Sequence, residues 1–203
     1  MSKRVYISAD YAEESGDRNV IDILHDWAED NLHKVDFVDT AQVVSGSVSD
    51  TDDCRICDLK KEFNAQINVS SAVIFIVGDK TASRTAGSEC SRNSDPYYKC
   101  YCTPYKQNNK GLKQCKHFHI YPVNMNGDVG CINSYSYLHH EFEQAAKRNK
   151  TIIILYNSLN NQPSWLPAYM KDYEDSAHPF WGKNASGEKV GDYSYLKKAL
   201  SYD

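Results

Sequence analysis

Two apolar runs without polar alternation are the clearest pattern in this 203-residue chain. They are Ser71–Val77 (SAVIFIV) and Thr151–Tyr156 (TIIILY), and both are rich in β-branched residues. Strands of a parallel sheet that is covered on both faces have this composition. The pattern therefore predicts an α/β fold with a central, mainly parallel sheet.

Shorter segments extend the alternation of strands and helices. Two further strands are predicted at Arg4–Ser8 and Lys34–Val38. Helices are predicted from a 3.6-residue apolar period at Asn19–Leu32, Cys54–Ile67, about Tyr135–Arg148 and Tyr193–Leu200. Asp17 is the predicted N-cap of the first helix. The resulting βαβαβ order implies right-handed crossovers between parallel strands.

The chain is predicted to form a single domain over residues 1–203, with two irregular regions. Residues 85–134 form a Cys- and His-containing insertion with little periodicity, in which Phe118–Val123 is a candidate short strand. A stretch this long without regular structure is usually functional or an appended subdomain. Residues 158–203 are expected to form an aromatic C-terminal extension that packs on the domain.

Charge and cysteine content narrow the class of protein. The net charge is −4 with no dense stripe of Lys and Arg, which argues against a nucleic-acid partner. The sequence has no apolar run of about 18 residues, so we expect no membrane span. Seven cysteines and no recognisable signal peptide are typical of cytoplasmic thiols rather than a disulfide framework. A cytoplasmic location is the expectation.

Several common catalytic motifs are missing from the sequence. It contains no G-x-G-x-x-G after the first strand and no G-x-x-x-x-G-K-[ST], so neither a dinucleotide fingerprint nor a P-loop is present. H-E-x-x-H and G-x-S-x-G are also missing, which disfavours zincin and α/β-hydrolase chemistry.

Polar residues instead gather where the predicted strands end. They follow the first, second and third strands, and they include Ser8, Asp10, Tyr11, Asp39, Thr81 and Arg84. The carboxyl ends of parallel strands meet at one edge of a sheet, where α/β folds bind ligands. Taken alone, an Asp or Ser at a strand end is more often a helix cap or a turn residue than a ligand contact. As a cluster, they predict a binding site at this edge.

Glu141 is the candidate catalytic carboxylate. It is predicted to lie in the first turn of the helix that leads into the last strand, which would direct it to the same edge of the sheet. A glutamate there is also favoured by the helix dipole alone. Glu143 is the surface alternative, and Glu89 lies in a segment without a helical pattern. Tyr137 and His140, on the same helix, join the set of predicted binding residues.

Four segments together resemble TIR-like domains. They are Lys3–Tyr11 (KRVYISADY), Asp58–Ile67, Ser71–Gly78 with Thr81 and Arg84, and Tyr137-x-x-x-Glu141 before an apolar strand. The sequence is most similar to the TIR-like proteins of the bacterial Thoeris antiphage defence system, over roughly residues 3–84 and 135–160. Ser136 fits the Ser-x-x-x-x-Glu spacing of enzymatic members, whereas Leu138, His139 and His140 depart from their usual intervening residues.

The resemblance implies a flavodoxin-like three-layer sandwich that cleaves the nicotinamide–ribose bond of NAD. The product would be ADP-ribose or a cyclic ADP-ribose-type signalling nucleotide, and Glu141 matches the catalytic glutamate. Arg84 would hold a pyrophosphate oxygen or equally be a solvated loop charge. Tyr11 or Tyr137 would stack on a base, although each is more often a core or rim aromatic. The implied partners are NAD as substrate, further copies of the chain, and an effector reached through the nucleotide signal. No cofactor is required.

The insertion also contains a weak candidate metal site. Cys100, Cys102, Cys115 and His117 are soft ligands with local pairing suited to tetrahedral zinc. Their spacing matches no standard zinc finger, so free thiols are the default interpretation.

Two other functions remain open from the sequence. A TIR-like scaffold that acts only through protein–protein contacts would keep the fold without consuming NAD. A receiver-like phosphoacceptor is suggested by Asp10 and Asp79 after the first and third strands. It ranks lower, because Ala9-Asp10 is not an acidic pair and Asn157, not a lysine, follows the last strand.

Overall fold

A computed structural model describes residues 3–10, 15–29, 35–39, 52–84, 106–107, 113–114 and 136–202. Its centre is a five-stranded sheet composed of β1 (Lys3–Ser8), β2 (Val35–Asp39), β3 (Ala72–Val77), β4 (Thr151–Tyr156) and β5 (His178–Pro179). The strand order is β2-β1-β3-β4-β5, and every neighbouring pair is parallel. The predicted α/β fold with a parallel sheet is confirmed; the two-residue β5 was not predicted.

Burial explains the two apolar runs. All six residues of β3 are buried, as are the last four of β4. The two strands pair in register, from Ala72 opposite Thr151 to Val77 opposite Tyr156. Both strands therefore lie inside the sheet with their faces covered, as their lack of alternation indicated.

Four α-helices lie close to the predicted positions. They are α1 (Asp17–Glu29), α2 (Asp52–Val69), α3 (Tyr137–Lys147) and α4 (Tyr193–Ala199). The differences from the predicted ends are within the few residues by which helix boundaries commonly vary. None of the described helices is long and apolar enough to cross a bilayer.

The helices cover the sheet from both sides. Val5 and Ile7 of β1 pack with residues of α1 and α4 on one face. Tyr6, between them, packs on the other face with Phe63 of α2 and Phe142 of α3. Because side chains alternate along a strand, Tyr6 and Ser8 both belong to the face covered by α2 and α3.

The C-terminal segment packs against α1 through an aromatic contact. After two 3₁₀ helices, Trp181–Lys183 pairs antiparallel with Lys189–Gly191. A Cβ atom on Gly191 would lie 2.8 Å from Trp27 and 2.9 Å from Phe180, so only glycine allows this approach. Between residues 85 and 134, only a two-residue ribbon, Lys106–Gln107 with Lys113–Gln114, is described. The candidate strand Phe118–Val123 lies outside the described residues.

Candidate functional site

Glu141 lies beside the carboxyl end of β1. The Tyr6 hydroxyl donates to Oε1 of Glu141 at 2.5 Å, and the Ser8 hydroxyl donates to Oε2. All three side chains are fully buried. The i, i+2 spacing of Tyr6 and Ser8 places both hydroxyls on the face of β1 that α3 covers. One strand and one helix thus hold a carboxylate at the edge of the sheet.

The start of α3 sets the position of this carboxylate. Ser136 is the N-cap, and its hydroxyl accepts a hydrogen bond from the backbone N–H of His139 at 3.0 Å. Glu141 lies one residue beyond the first turn, so its predicted place within that turn is wrong by one residue. It shares the buried face of α3 with Leu138 and Ala145. Packing, rather than attraction to the helix dipole, therefore explains its position.

The alternative glutamate on this helix faces solvent. The Glu143 side chain is 56% exposed and lies 3.6 Å from the His139 ring. Burial lowers the pKa of His139, so this i, i+4 contact adds little charge attraction. Glu143 is thus a natural control for Glu141.

Asp10 and Arg84 form an ion pair at the same edge of the sheet. Arg84 Nε donates to Asp10 Oδ2 at 2.6 Å, with side-chain exposures of 35% and 14%. Asp10 follows β1 and Arg84 follows the 3₁₀ turn after β3. This pair spans the point where the chain order reverses between β1 and β3, which is the usual ligand position in open α/β sheets.

Asp39 lies on the opposite face of the sheet from Glu141. It pairs in register with Ile7, whose side chain belongs to the core beneath α1. Its carboxylate contacts His25 Nε2 at 2.6 Å, and this hydrogen bond raises the pKa of His25 despite partial burial. The structure therefore does not bring Asp39 together with Glu141.

Thr81 and Tyr137 make contacts within the fold. Thr81 is buried, and its hydroxyl accepts from the Gly78 backbone N–H at 2.8 Å, which closes the turn after β3. The Tyr137 ring packs edge-on against Phe63 at 5.5 Å. Both contacts account for these residues without a ligand.

His140 faces α2. Its Nε2 lies 2.8 Å from Asn64 Oδ1 and 3.3 Å from the Lys60 carbonyl oxygen. Since both partners are acceptors, Nε2 carries the proton. Burial, with the nearby Lys60 charge, lowers the pKa of His140 to about 3. His140 is therefore a neutral residue of the helix–helix interface.

The remaining predicted residues lie outside the described residues. They are Tyr11 and the candidate zinc ligands Cys100, Cys102, Cys115 and His117. Among the residues that the structure does describe, no group of three or more His, Cys, Asp or Glu side chains could hold a metal ion.

Sequence reasoning missed a second buried carboxylate, Asp17. It is the first residue of α1, and its carboxylate accepts from Asn157 Nδ2 at 2.9 Å and from the Asp10 backbone N–H at 3.2 Å. Burial raises the pKa of Asp17 to about 7, and the charges of Asp10 and Asp79 act in the same direction. The position after a loop suggested an N-cap, but the side chain turns to the end of β4.

Tyr6 and Tyr169 were also missed. Alternation along β1 gave a signal for Tyr6, because it shares a face with Ser8. Tyr169 belongs to the C-terminal segment, and its ring stacks on His139 at 3.9 Å with an interplanar angle of 1°. Burial raises the pKa of Tyr169 to about 12, and the Glu141 charge contributes to that rise. No local sequence pattern indicated that this residue lies near the catalytic candidate.

Comparison with known proteins adds no family assignment. No protein-family model matches the chain, and no curated protein matches it. The geometry around Glu141 is therefore the basis for any functional conclusion.

Proposed function

We propose that this protein is a TIR-like, NAD-consuming enzyme that cleaves the nicotinamide–ribose bond. Its product would be ADP-ribose or a cyclic ADP-ribose-type signalling nucleotide, and its role would be in bacterial antiphage defence of the Thoeris type. One observation carries the proposal: the Glu141 carboxylate is held by two hydroxyls, from Tyr6 and Ser8, at the carboxyl edge of a parallel sheet.

The sheet topology supports a flavodoxin-like fold. The order β2-β1-β3-β4-β5 is the order of flavodoxin-like sheets, in which nucleotides bind outside the β1 and β3 ends. Ser8 ends β1, and Asp10 and Arg84 follow β1 and β3. A nucleotide at this edge would lie between the candidate carboxylate and the candidate phosphate-binding arginine.

The chemistry requires few groups. When the glycosidic C–N bond breaks, its electron pair moves to the pyridinium nitrogen, so nicotinamide leaves neutral and needs no general acid. The ribose carbon that remains resembles an oxocarbenium ion, as in glycoside hydrolysis. A fixed carboxylate near the ribose stabilises this developing positive charge. Water then attacks the cation and loses a proton, or an adenine nitrogen attacks it and closes a ring.

Hydroxyl donors suit Glu141 to this role. A hydroxyl rotates about its C–O bond and both donates and accepts, unlike a backbone N–H. Because Glu141 is fully buried, a ribose hydroxyl would reach it by taking the place of one donor. Ser8 ends the strand and is the donor nearer the edge of the sheet. We assign Ser8 to ribose contact and Tyr6 to holding the carboxylate.

Arg84 would contact the pyrophosphate. Its Nε is bound to Asp10, which orients the guanidinium group at the edge of the sheet. Guanidinium groups bind phosphate oxygens through charge-assisted hydrogen bonds. In this role Asp10 positions Arg84 rather than touching the nucleotide.

A non-catalytic TIR-like scaffold is the second candidate function. The observation that favours it is the full burial of Glu141, whose two oxygens both accept hydrogen bonds from within the fold. A carboxylate satisfied in this way could serve only to join α3 to β1. Under this function the protein would act by binding partners or copies of itself.

Incubation with NAD separates the two functions. The purified chain is mixed with NAD over a range of protein concentrations, and nicotinamide is followed by chromatography together with the nucleotide product. The enzyme proposal expects equal amounts of nicotinamide and of ADP-ribose or its cyclic form. Intact NAD at every concentration would favour the scaffold.

A further inference from the structure

The buried carboxylate of Asp17 is the first group in a series of hydrogen-bonded contacts along the carboxyl edge of the sheet. Asp17 is fully buried, and the two hydrogen bonds that its carboxylate accepts come from Asp10, two residues after β1, and from Asn157, the residue after β4. In the part of the chain that the structure describes, no cationic side chain contacts Asp17. A buried carboxylate held only by neutral donors is unusual, because such groups are normally paired with a cation.

Asn157 connects the Asp17 carboxylate to the C-terminal segment through a second hydrogen bond. Its Oδ1 accepts a hydrogen bond from the Trp181 indole Nε1–H at 2.7 Å. Its backbone N–H bonds to the Val77 carbonyl oxygen at 2.9 Å, which fixes the residue beside the end of β3. The amide group of Asn157 therefore joins a carboxylate on α1 to an indole in the C-terminal hairpin, which is Trp181–Lys183 paired with Lys189–Gly191.

The same series of contacts reaches the Asp10–Arg84 ion pair of the candidate site. Asp17 accepts from the backbone N–H of Asp10, and the Asp10 side chain binds Arg84. Ser15 strengthens the link, because its hydroxyl donates to the Asp10 carbonyl oxygen at 2.6 Å. Both backbone groups of Asp10 are thus held, one by Ser15 and the other by the first residue of α1.

We propose that Asp17, Asn157 and Trp181 form a positioning relay that fixes Asp10 and Arg84 for nucleotide binding. This inference rests on the proposed NAD site, and none of the three residues needs to touch the substrate. Through the relay, the C-terminal hairpin helps to set the position of Arg84.

The relay is sensitive to the protonation of Asp17. The ionised carboxylate offers one oxygen to Asn157 and the other to the Asp10 N–H. A protonated carboxyl carries its hydrogen on one of these two oxygens, which makes that oxygen a poorer acceptor and weakens its bond to the N–H donor. Asp10 and Asp79 face Asp17 with like charge, whereas the groups in its line of contacts from β4 and the hairpin are the neutral Asn157 and Trp181. The Lys189 ammonium of the hairpin lies over the Trp181 ring, 3.9 Å from its centroid.

Asp17→Asn tests the relay, because an asparagine imitates the protonated form at every pH. We expect the KM for NAD to rise about five- to tenfold at pH 8, where the wild-type carboxylate is ionised, and to change little at pH 6. The matched control is Asp22→Asn, the same substitution at an exposed position of α1. Equal KM ratios of Asp17→Asn to wild type at the two pH values would overturn the proposal.

Two NMR signals test the relay without any turnover. The Trp181 indole N–H and the Arg84 Nε–H should shift together with pH in the wild type, with a midpoint near 7, and should not shift in Asp17→Asn. Signals that stay still in the wild type, or titrate identically in the variant, would overturn the relay. If the protein shows these shifts but leaves NAD intact, the proposed activity is contradicted and the relay is not.

Trp181→Phe keeps the test decisive if Asp17→Asn does not fold. This substitution removes the indole donor to Asn157 and retains an aromatic ring. Because Asn157 binds Asp17, the pH midpoint of the Arg84 Nε–H signal should then differ from that of the wild type. An unchanged Arg84 midpoint in Trp181→Phe would show that the hairpin is not part of the relay.

Discussion

Two buried carboxylates lie at one edge of the sheet, on helices that cover opposite faces. Glu141 on α3 is held by the hydroxyls of Tyr6 and Ser8, whereas Asp17 on α1 is held by an amide and a backbone N–H. Hydroxyls can turn toward an incoming ligand, but amide donors are fixed by the backbone or by a second partner. This difference in donors is why we propose ligand contact for Glu141 and a positioning role for Asp17.

Among the stability changes predicted here, the largest is the change in pH dependence caused by Asp17→Asn. Folding raises the pKa of Asp17 from 3.8 to about 7, so the native state binds its proton more tightly than the unfolded chain does. The contribution to the free energy of unfolding is complete below pH 3.8 and is lost as pH rises toward 7. Relative to Asp17→Asn, the wild type should lose about 3–4 kcal/mol between pH 4 and pH 8.

Urea unfolding of both proteins at several pH values measures this difference. Asp22→Asn, on the exposed side of the same helix, should follow the wild-type curve. If the free energy of unfolding changes with pH in the same way in the wild type and in Asp17→Asn, burial does not raise the pKa of Asp17.

Loss of one hydroxyl donor at Glu141 should have a smaller effect. Tyr6→Phe leaves Oε1 of a buried carboxylate one hydrogen bond short, so the free energy of unfolding should fall by about 2 kcal/mol. Tyr156 provides a matched control: it is a buried strand tyrosine on the same face, and its hydroxyl has no hydrogen-bond partner among the described residues.

Tyr156→Phe should therefore leave stability within about 0.5 kcal/mol of the wild type, or raise it. Thermal or denaturant unfolding of the two variants side by side gives the result. Equal losses in both would indicate that the Tyr6 hydroxyl contributes nothing specific to Glu141.

Gly16→Ala should have the smallest effect. Gly16 has a φ of +69°, and a Cβ there would lie 3.4 Å from Asn157 Nδ2. The strained backbone should lower the free energy of unfolding by about 1 kcal/mol. Gly187 shares a positive φ of +82° with nothing nearby, so Gly187→Ala is the control for strain alone. Only Gly16→Ala should shift the NMR signal of the Trp181 indole N–H. A shift in both variants would contradict the inference that Gly16→Ala acts through Asn157.

The sheet could be predicted because its signals are local. β3 and β4 are uninterrupted apolar runs, and α1 has a clear 3.6-residue period, so each element shows in its own residues. The two-residue β5 gave no such signal, because its position depends on backbone pairing with the end of β4.

The site was only partly predictable. Strand ends and the helix before β4 drew attention to Ser8 and Glu141, and the structure places these two side chains in contact. Asp39 was included because it also ends a strand, but its pairing with Ile7 directs it to the other face. Tyr169 and Asn157 act through contacts with residues distant in sequence, and no motif records such contacts.

Nicotinamide release by three proteins tests the role of Glu141 most directly. The wild type, Glu141→Gln and Glu143→Gln are assayed with NAD at equal concentrations, after circular dichroism has shown that all three are folded. We predict a loss of about 10²- to 10³-fold in Glu141→Gln, as expected for removal of a group that stabilises transition-state charge, and wild-type rates in the exposed Glu143→Gln. Nicotinamide release by Glu141→Gln at the wild-type rate would contradict the account.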